Sequence, residues 1–291
     1  MLLYLLTSGL TSGALYAMVA IGLVVVYRST GHINFAHGEL FMMGGFFAYS
    51  MITLLGFPYL LSMVLAVVLS FLLGVLSDRA VYRPLMKAPG TTIVLATVGF
   101  SYLLKGIARF FWGGKGEYLS IKAIVDPTPL FIWGMPVLPQ QLVVLGGALI
   151  CMTAFIAFFR WTLAGKMMQA TAENATAAYL VGIRVERVFT WTWGAGAAVA
   201  GAAAVLMAPL TLLTPDIGFN LLIKAFAATI LGGLGSMGGA VVGGFIVGIT
   251  ESLAGGYIDS SLQEVSAFVI IMAVLMLRPS GLFGAYGVRR A

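Results

Sequence analysis

The chain has 291 residues, 60% of them hydrophobic and only 9% charged, with a mean hydropathy of +1.03. Soluble domains carry about 25% charged residues, so an apolar excess of this size excludes a soluble globular protein. The net charge of +6 does not point to nucleic acid, because the basic residues sit scattered at the ends of apolar runs and form no patch.

A helix needs about 20 apolar residues to cross a bilayer, and backbone groups in lipid must bond within a helix or a closed barrel. The apolar runs here are long and do not alternate. The fold class is therefore all-α, a polytopic transmembrane helical bundle forming one membrane domain over residues 1–291. In chain order the runs extend from Leu5 to Tyr27, Gly38 to Leu55, Tyr59 to Leu76, Thr91 to Trp112, Gln140 to Phe159, Val188 to Ala208, Leu221 to Leu231, Ala240 to Leu253 and Val265 to Leu277. They give about eight or nine membrane segments, those from Leu221 and Ala240 being short for a crossing. No basic stretch precedes the first run and no small-residue cleavage signal is read, so this helix is expected to stay in the product.

Charge sets the orientation. The linker from Asp78 to Lys87, the stretch from Arg160 to Arg187 and the tail with Arg278, Arg289 and Arg290 are basic and are assigned to the cytoplasm. Gly113 to Pro139 mixes Lys115 and Lys122 with Glu117 and Asp126, and together with the turns holding Asp216 and Asp259 it faces outward. The side of the N-terminus stays open. So does the Arg28-to-His37 break, which reads either as a cytoplasmic loop or as an interruption at membrane depth.

Small residues recur at four-residue spacing, as in Gly9 and Gly13, Gly239 and Gly243, and Gly244 and Gly248, which allows close helix packing in lipid. Gly232, Gly233, Gly235 and Gly238 interrupt two apolar runs, and the stretch reads equally as a broken helix around a cavity or as a tight hairpin. Its letters match the dinucleotide fingerprint without the strand, βαβ unit or acidic residue that the fingerprint requires. No phosphate-binding Gly-x-x-x-x-Gly-Lys-Ser/Thr loop exists, so the chain is expected to bind no ATP and no cofactor itself. His32 and His37 are spaced wrongly for a zinc helix, Cys151 is alone, and no catalytic cluster assembles, so neither a metal site nor an enzyme is expected.

Two stretches carry chemistry. In Gly31-His32-Ile33-Asn34-Phe35-Ala36-His37-Gly38-Glu39, polar groups break two apolar helices, and such groups in hydrocarbon line an aqueous path or bind one another. Asn34, His37 and Glu39 are accordingly candidates for a pathway or gate, or else they tie helix ends. Lys105, Arg109 and Lys224 are long enough to snorkel and receive no role. The second stretch, Gly165 to Ile183, is Ala-rich, helix-favouring and stopped by Gly182. With Met167, Ala170, Asn174 and Ala177 on one face, it reads as a surface helix or as one that docks in a partner's groove.

The order of four motifs resembles the permease subunits of high-affinity branched-chain amino-acid ABC importers. They are Ile33-Asn34-Phe35-Ala36-His37-Gly38-Glu39, the loop Ala172 to Ile183, Leu231-Gly232-Gly233-Leu234-Gly235-Ser236, and Arg278-Pro279-Ser280-Gly281-Leu282-Phe283-Gly284. The likeness covers nearly the whole chain, and the first motif points to the shorter, H-type permease. The resemblance implies alternating access in an inner (cytoplasmic) membrane of a bacterium or archaeon. It also implies as partners a second, M-type permease forming a heterodimer, two cytosolic ATPases carrying ATP and Mg, and a periplasmic or lipid-anchored substrate-binding protein. Within it, the cytoplasmic loop at about 161–187, with Glu173, Asn174, Ala177, Ala178 and Gly182, is similar to the helix that couples to the ATPase. Gln169 stands where relatives often have a basic residue. Urea, short amides and aromatic acids are alternative cargoes in the same family. A stand-alone secondary transporter or channel would need paired intramembrane carboxylates, for which Glu39 and Glu251 are the candidates.

Overall fold

The computed structural model describes residues 1–86, 88–113, 118–126, 128–132 and 135–284. Lys87, Lys115, Glu117, Arg289 and Arg290, which entered the charge argument above, lie outside the described residues.

The helices are α1 (Leu2–Thr30), α2 (His37–Tyr49), α3 (Tyr59–Ser77), α4 (Gly90–Trp112), α5 (Pro139–Trp161), α6 (Leu163–Glu173), α7 (Ala175–Leu180), α8 (Val185–Met207), α9 (Ile217–Gly232), α10 (Met237–Tyr257) and α11 (Leu262–Leu277). A π-helical segment, Ser50–Leu54, prolongs α2, and π and 3-10 segments carry the α3 helix on to Leu85. The all-α reading gains one small element, an antiparallel pair of β1 (Leu130–Ile132) and β2 (Met135–Val137) in register Leu130 to Val137. Six helices are long and apolar enough to cross a membrane: α1, α3 with its extension, α4, α5, α8 and α10. Helices α9 and α11 are shorter and apolar.

The run from Ala240 is not short. Helix α10 covers 21 residues because Thr250, Glu251, Ser252, Gly255 and Gly256 continue it, residues that weaken the apolar signal without breaking the helix. Helices α1 and α8 form the centre, each 89% buried over its most apolar window. They are apolar or small on all sides, as a helix surrounded by other helices must be. Gly9 and Gly13 of α1 meet Gly244 and Gly248 of α10. A Cβ on Gly13 would lie 2.9 Å from the Gly244 carbonyl oxygen, and one on Gly9 would lie 2.8 Å from the Ile249 Cα. The backbones touch there, so small residues are required rather than merely tolerated.

These contacts run in opposite chain directions, so α1 and α10 are antiparallel. Arg28, Arg160, Gln169 and Ser236 line one cleft, which puts the end of α1 beside the start of α10 and the basic loop after α5. The end of α1 therefore lies at the basic end of the bundle and its start at the opposite end. At the basic end the Thr190 hydroxyl donates to Asp78 Oδ2 (2.6 Å), and Arg83 Nη2 donates to Thr190 Oγ1 (2.7 Å) and to the Glu186 carbonyl (3.2 Å), fastening the end of α3 to the start of α8.

Candidate functional site

The break between α1 and α2 lies inside the bundle. The His37 ring packs on Gly22 of α1, where an added Cβ would sit 2.7 Å from Nε2. Gly22 is two turns short of the helix end at Thr30, about 12 Å at 1.5 Å per residue. The Phe35 amide donates to Thr97 Oγ1 (3.3 Å), well within α4. Residues 31–36 therefore climb from the basic end of the bundle as non-helical backbone. Asn34 Oδ1 accepts the Ala36 amide (2.9 Å) and so starts α2 at depth. Such backbone is tolerated in a membrane only when protein or a water-filled cavity surrounds it.

Asn34, His37 and Glu39 are all buried, at 2%, 0% and 1% exposure. They line no open surface but stand behind one. Asn34 Nδ2 and Glu39 Oε2 have no hydrogen-bond partner among the described residues, and the His37 ring is enclosed at the start of α2.

Helix α2 packs against both α4 and α9, and charge bridges the two above it. Lys105 of α4 reaches Glu39 Oε1 at 3.6 Å and Asp216, just before α9, at 3.5 Å. Arg109, one turn on, makes a two-oxygen contact with Asp216 at 3.1 and 3.2 Å. The Phe219 and Tyr102 rings stand 5.1 and 5.7 Å from the Lys105 ammonium. Nearer the basic end, the Phe35 and Phe226 rings meet with centroids 6.3 Å apart. Along α9, Asp216, Asn220 and Lys224 recur every four residues on its less buried face. Lys224 pairs with Glu251 of α10 and lies 5.5 Å from the Tyr16 ring.

Lys105 and Lys224 are thus not simply snorkelling. Each meets a buried carboxylate, a pairing between helices distant in sequence that hydropathy does not encode. Asp216, an outer turn by sequence, joins the same ion cluster.

The basic loop between α5 and α8 is two helices, not one. Asn174 is extended (φ −156°, ψ 101°) and separates α6 from α7, its Oδ1 accepting the Ala177 amide (3.0 Å) as an N-cap. Met167 and Ala170 therefore share no face with Asn174 and Ala177. The side-chain cap outcompetes continued helix here, as Asn does where it can bond its own backbone. Helix α7 ends in a Schellman turn: Gly182 is left-handed (φ +89°), its amide bonds Tyr179 O (3.0 Å), and that of Ile183 bonds Ala178 O (3.0 Å). Glu173, Asn174, Ala177 and Gly182 are exposed, but Ala178 is buried against the chain itself. The outward apolar surface is Tyr179, Leu180 and Val181, exposed by 71%, 78% and 77%, which the sequence reading passed over. Gln169 is not an outward contact, since its Nε2 donates to the Phe159 carbonyl (2.6 Å) and ties α6 to α5.

The glycine break between α9 and α10 is a tight hairpin. Gly233 turns with φ +101°, Ser236 Oγ accepts the Gly239 amide (2.9 Å), and Gly232 packs directly on the Gly239 backbone. Gly235 and Gly238 face open space. The tail returns to this hairpin: the amides of Leu282 and Phe283 donate to the carbonyls of Leu231 (2.8 Å) and Gly232 (3.1 Å), supplying donors that the last turn of α9 lacks. Among the described residues no group of three or more His, Cys, Asp or Glu is placed to hold a metal.

The family profile described as "Branched-chain amino acid transport system / permease component" matches residues 5–277. The chain belongs to this permease family. It is 32% identical to the high-affinity branched-chain amino acid transport system permease protein LivH of Escherichia coli (strain K12), over 95% of this chain and 94% of that protein. It is 33% identical to BraD of Pseudomonas aeruginosa, a protein of the same description, over 96% and 94%. A likeness to the solved structure of PsaBC from Streptococcus pneumoniae in complex with Fab, at TM-score 0.54 and 14% identity over 96% of this chain and 94% of that one, concerns the fold alone.

The permease is a multi-pass membrane protein and a transport subunit, not an enzyme. Two of its motifs, around Gly232 and around Gly281, are distant in sequence but form one structural unit at the basic end of the bundle. The i, i+4 recurrence of Asp216, Asn220 and Lys224 was the one sequence signal that could have exposed the polar face of α9.

Proposed function

We propose that this permease carries branched-chain amino acids inward across a cytoplasmic membrane, paired with a second, M-type permease and driven by two ATPases that receive substrate from a binding protein. The observation that carries the reading is the family match over residues 5–277 on a bundle whose α4 and α9 hold a partly exposed ion cluster. Exposed charge between membrane-crossing helices is costly against lipid, so the cluster suits a contact with a second protein or an aqueous route. The paired permease covers it, and substrate passes between the two. Phe35 and Phe226 form an apolar constriction on that route, with Asn34 and His37 supporting it from behind.

The ATPases seat on α7. Tyr179, Leu180 and Val181 are the apolar contact, and the Asn174 cap and the Gly182 turn hold their angle. Alternating access then needs no chemistry from this chain, since ATP and Mg belong to the partners. The test is reconstitution of the permease pair, the ATPases and the binding protein in vesicles. ATP-dependent leucine uptake supports the reading, and saturable transport by this chain alone, driven by an ion gradient, sinks it.

A further inference from the structure

We infer that the ion cluster around Lys105 is the station at which the permease holds the charged head of its substrate, taking a zwitterion, and not a singly charged molecule, from the outer side. The inference rests on the transport reading above and names the residues that recognise the cargo.

Lys105 spans α4 and α9 above α2, its ammonium shared by two carboxylates at nearly equal distance, neither close enough for a strong bond: Glu39 at 3.6 Å and Asp216 at 3.5 Å. The two carboxylates differ sharply in access. Asp216 has a side chain 60% exposed, whereas that of Glu39 is 1% exposed and lies beneath Lys105. Glu39 Oε2 has no hydrogen-bond partner among the described residues, so Lys105 is the cation that balances this buried carboxylate. Cluster charge balances as two cations, Lys105 and Arg109, against two anions, Glu39 and Asp216.

A substrate with one carboxylate and one ammonium can enter without upsetting that balance. Its carboxylate takes Lys105 or Arg109, and its ammonium takes the exposed Asp216 carboxylate so released, while Glu39 stays buried beneath Lys105. A molecule carrying only one charge leaves one of the four ions without a partner next to the buried Glu39 and Lys105, and so is disfavoured. The Phe219 and Tyr102 rings beside the ammonium, and the Phe35 and Phe226 pair nearer the basic end, give an apolar side chain somewhere to lie while the head is held. Exchange among existing ion pairs makes a shallow well, as passage requires.

The test uses the complete transporter in vesicles, with Cys151 replaced by Ala and Lys105 by Cys. Leucine uptake by the Cys151→Ala complex, run first, checks the transport reading separately. The Lys105→Cys variant should assemble and hydrolyse ATP yet take up leucine about tenfold more slowly or worse, the loss expected when one partner of a buried charge pair is removed. Labelling with aminoethyl methanethiosulfonate, which rebuilds an ammonium at this position, should restore uptake, while the uncharged methyl reagent should not. Leucine should slow the labelling, and 3-methylbutylamine, which lacks the carboxylate, should not. Labelling at the same rate with and without leucine would overturn the inference, as would near-normal uptake by Lys105→Cys. If that variant fails to assemble, Asp216→Cys at the exposed edge is read by the same leucine protection.

Discussion

The amide of Leu282 donates to the carbonyl of Leu231 at 2.8 Å, so the tail closes the end of α9. Gly281, at φ +74°, turns the chain into that position against Gly233. A β-branched residue is strained there, and the carbonyls of Leu231 and Gly232 would lose their donors. Gly281→Val should therefore lower the stability of the permease by about 1–3 kcal/mol, read as a fall in melting temperature in detergent. An unchanged melting temperature would mean that the tail contact contributes nothing.

The α1–α10 contact should tolerate no larger side chain at its glycines. Gly13→Val places two methyl groups where the Gly244 carbonyl and the Phe245 Cα already stand within 3 Å of a Cβ. Overpacking of this kind costs about 1–3 kcal/mol or forces the helices apart. Gly99, with open space around it, is the control. Gly99→Ala should fold and melt as the parent does, and equal losses at both sites would refute the close packing.

Glu251 is buried beside Lys224, and removing only one charge strands the other. Lys224→Met should destabilise by about 3 kcal/mol, while Lys224→Met combined with Glu251→Gln should recover much of that loss. The same logic makes Glu39→Gln more damaging than Glu264→Gln, whose carboxylate is exposed at the start of α11. A double mutant no better than Lys224→Met would show the pair to be uncoupled.

Ala177 and Ala178 are neighbours with opposite environments, one outward and one buried. Ala177→Glu and Leu180→Asp should leave the membrane fold intact and weaken co-purification of the ATPases by about tenfold, since a charge enters an apolar contact. Ala178→Glu should instead loosen the loop itself, read as faster proteolysis between α6 and α8 in the isolated permease. Full retention of the ATPases by both outward variants would place docking elsewhere.

The sequence by itself determined the membrane class, the helical character and the family, because hydropathy is summed over long segments and the motifs are contiguous. It also located Gly182 and the glycine pairs of α1 and α10, whose spacing is local. What only the tertiary structure decided was which distant groups meet. The α1–α2 break lies at depth because His37 finds Gly22 and Phe35 finds Thr97. Lys105 and Lys224 are ion-pair partners because α4 and α9 are brought beside Glu39 and Glu251. Asn174 divides the basic loop between α5 and α8 although its Ala-rich composition favours one helix, because a side-chain cap bond overrides a propensity of only a few tenths of a kcal/mol per residue. Hydropathy averages over a turn or more and has no memory of partners far along the chain. An ion pair or a cap depends on a single atom's neighbour, and in this protein packing supplies that neighbour.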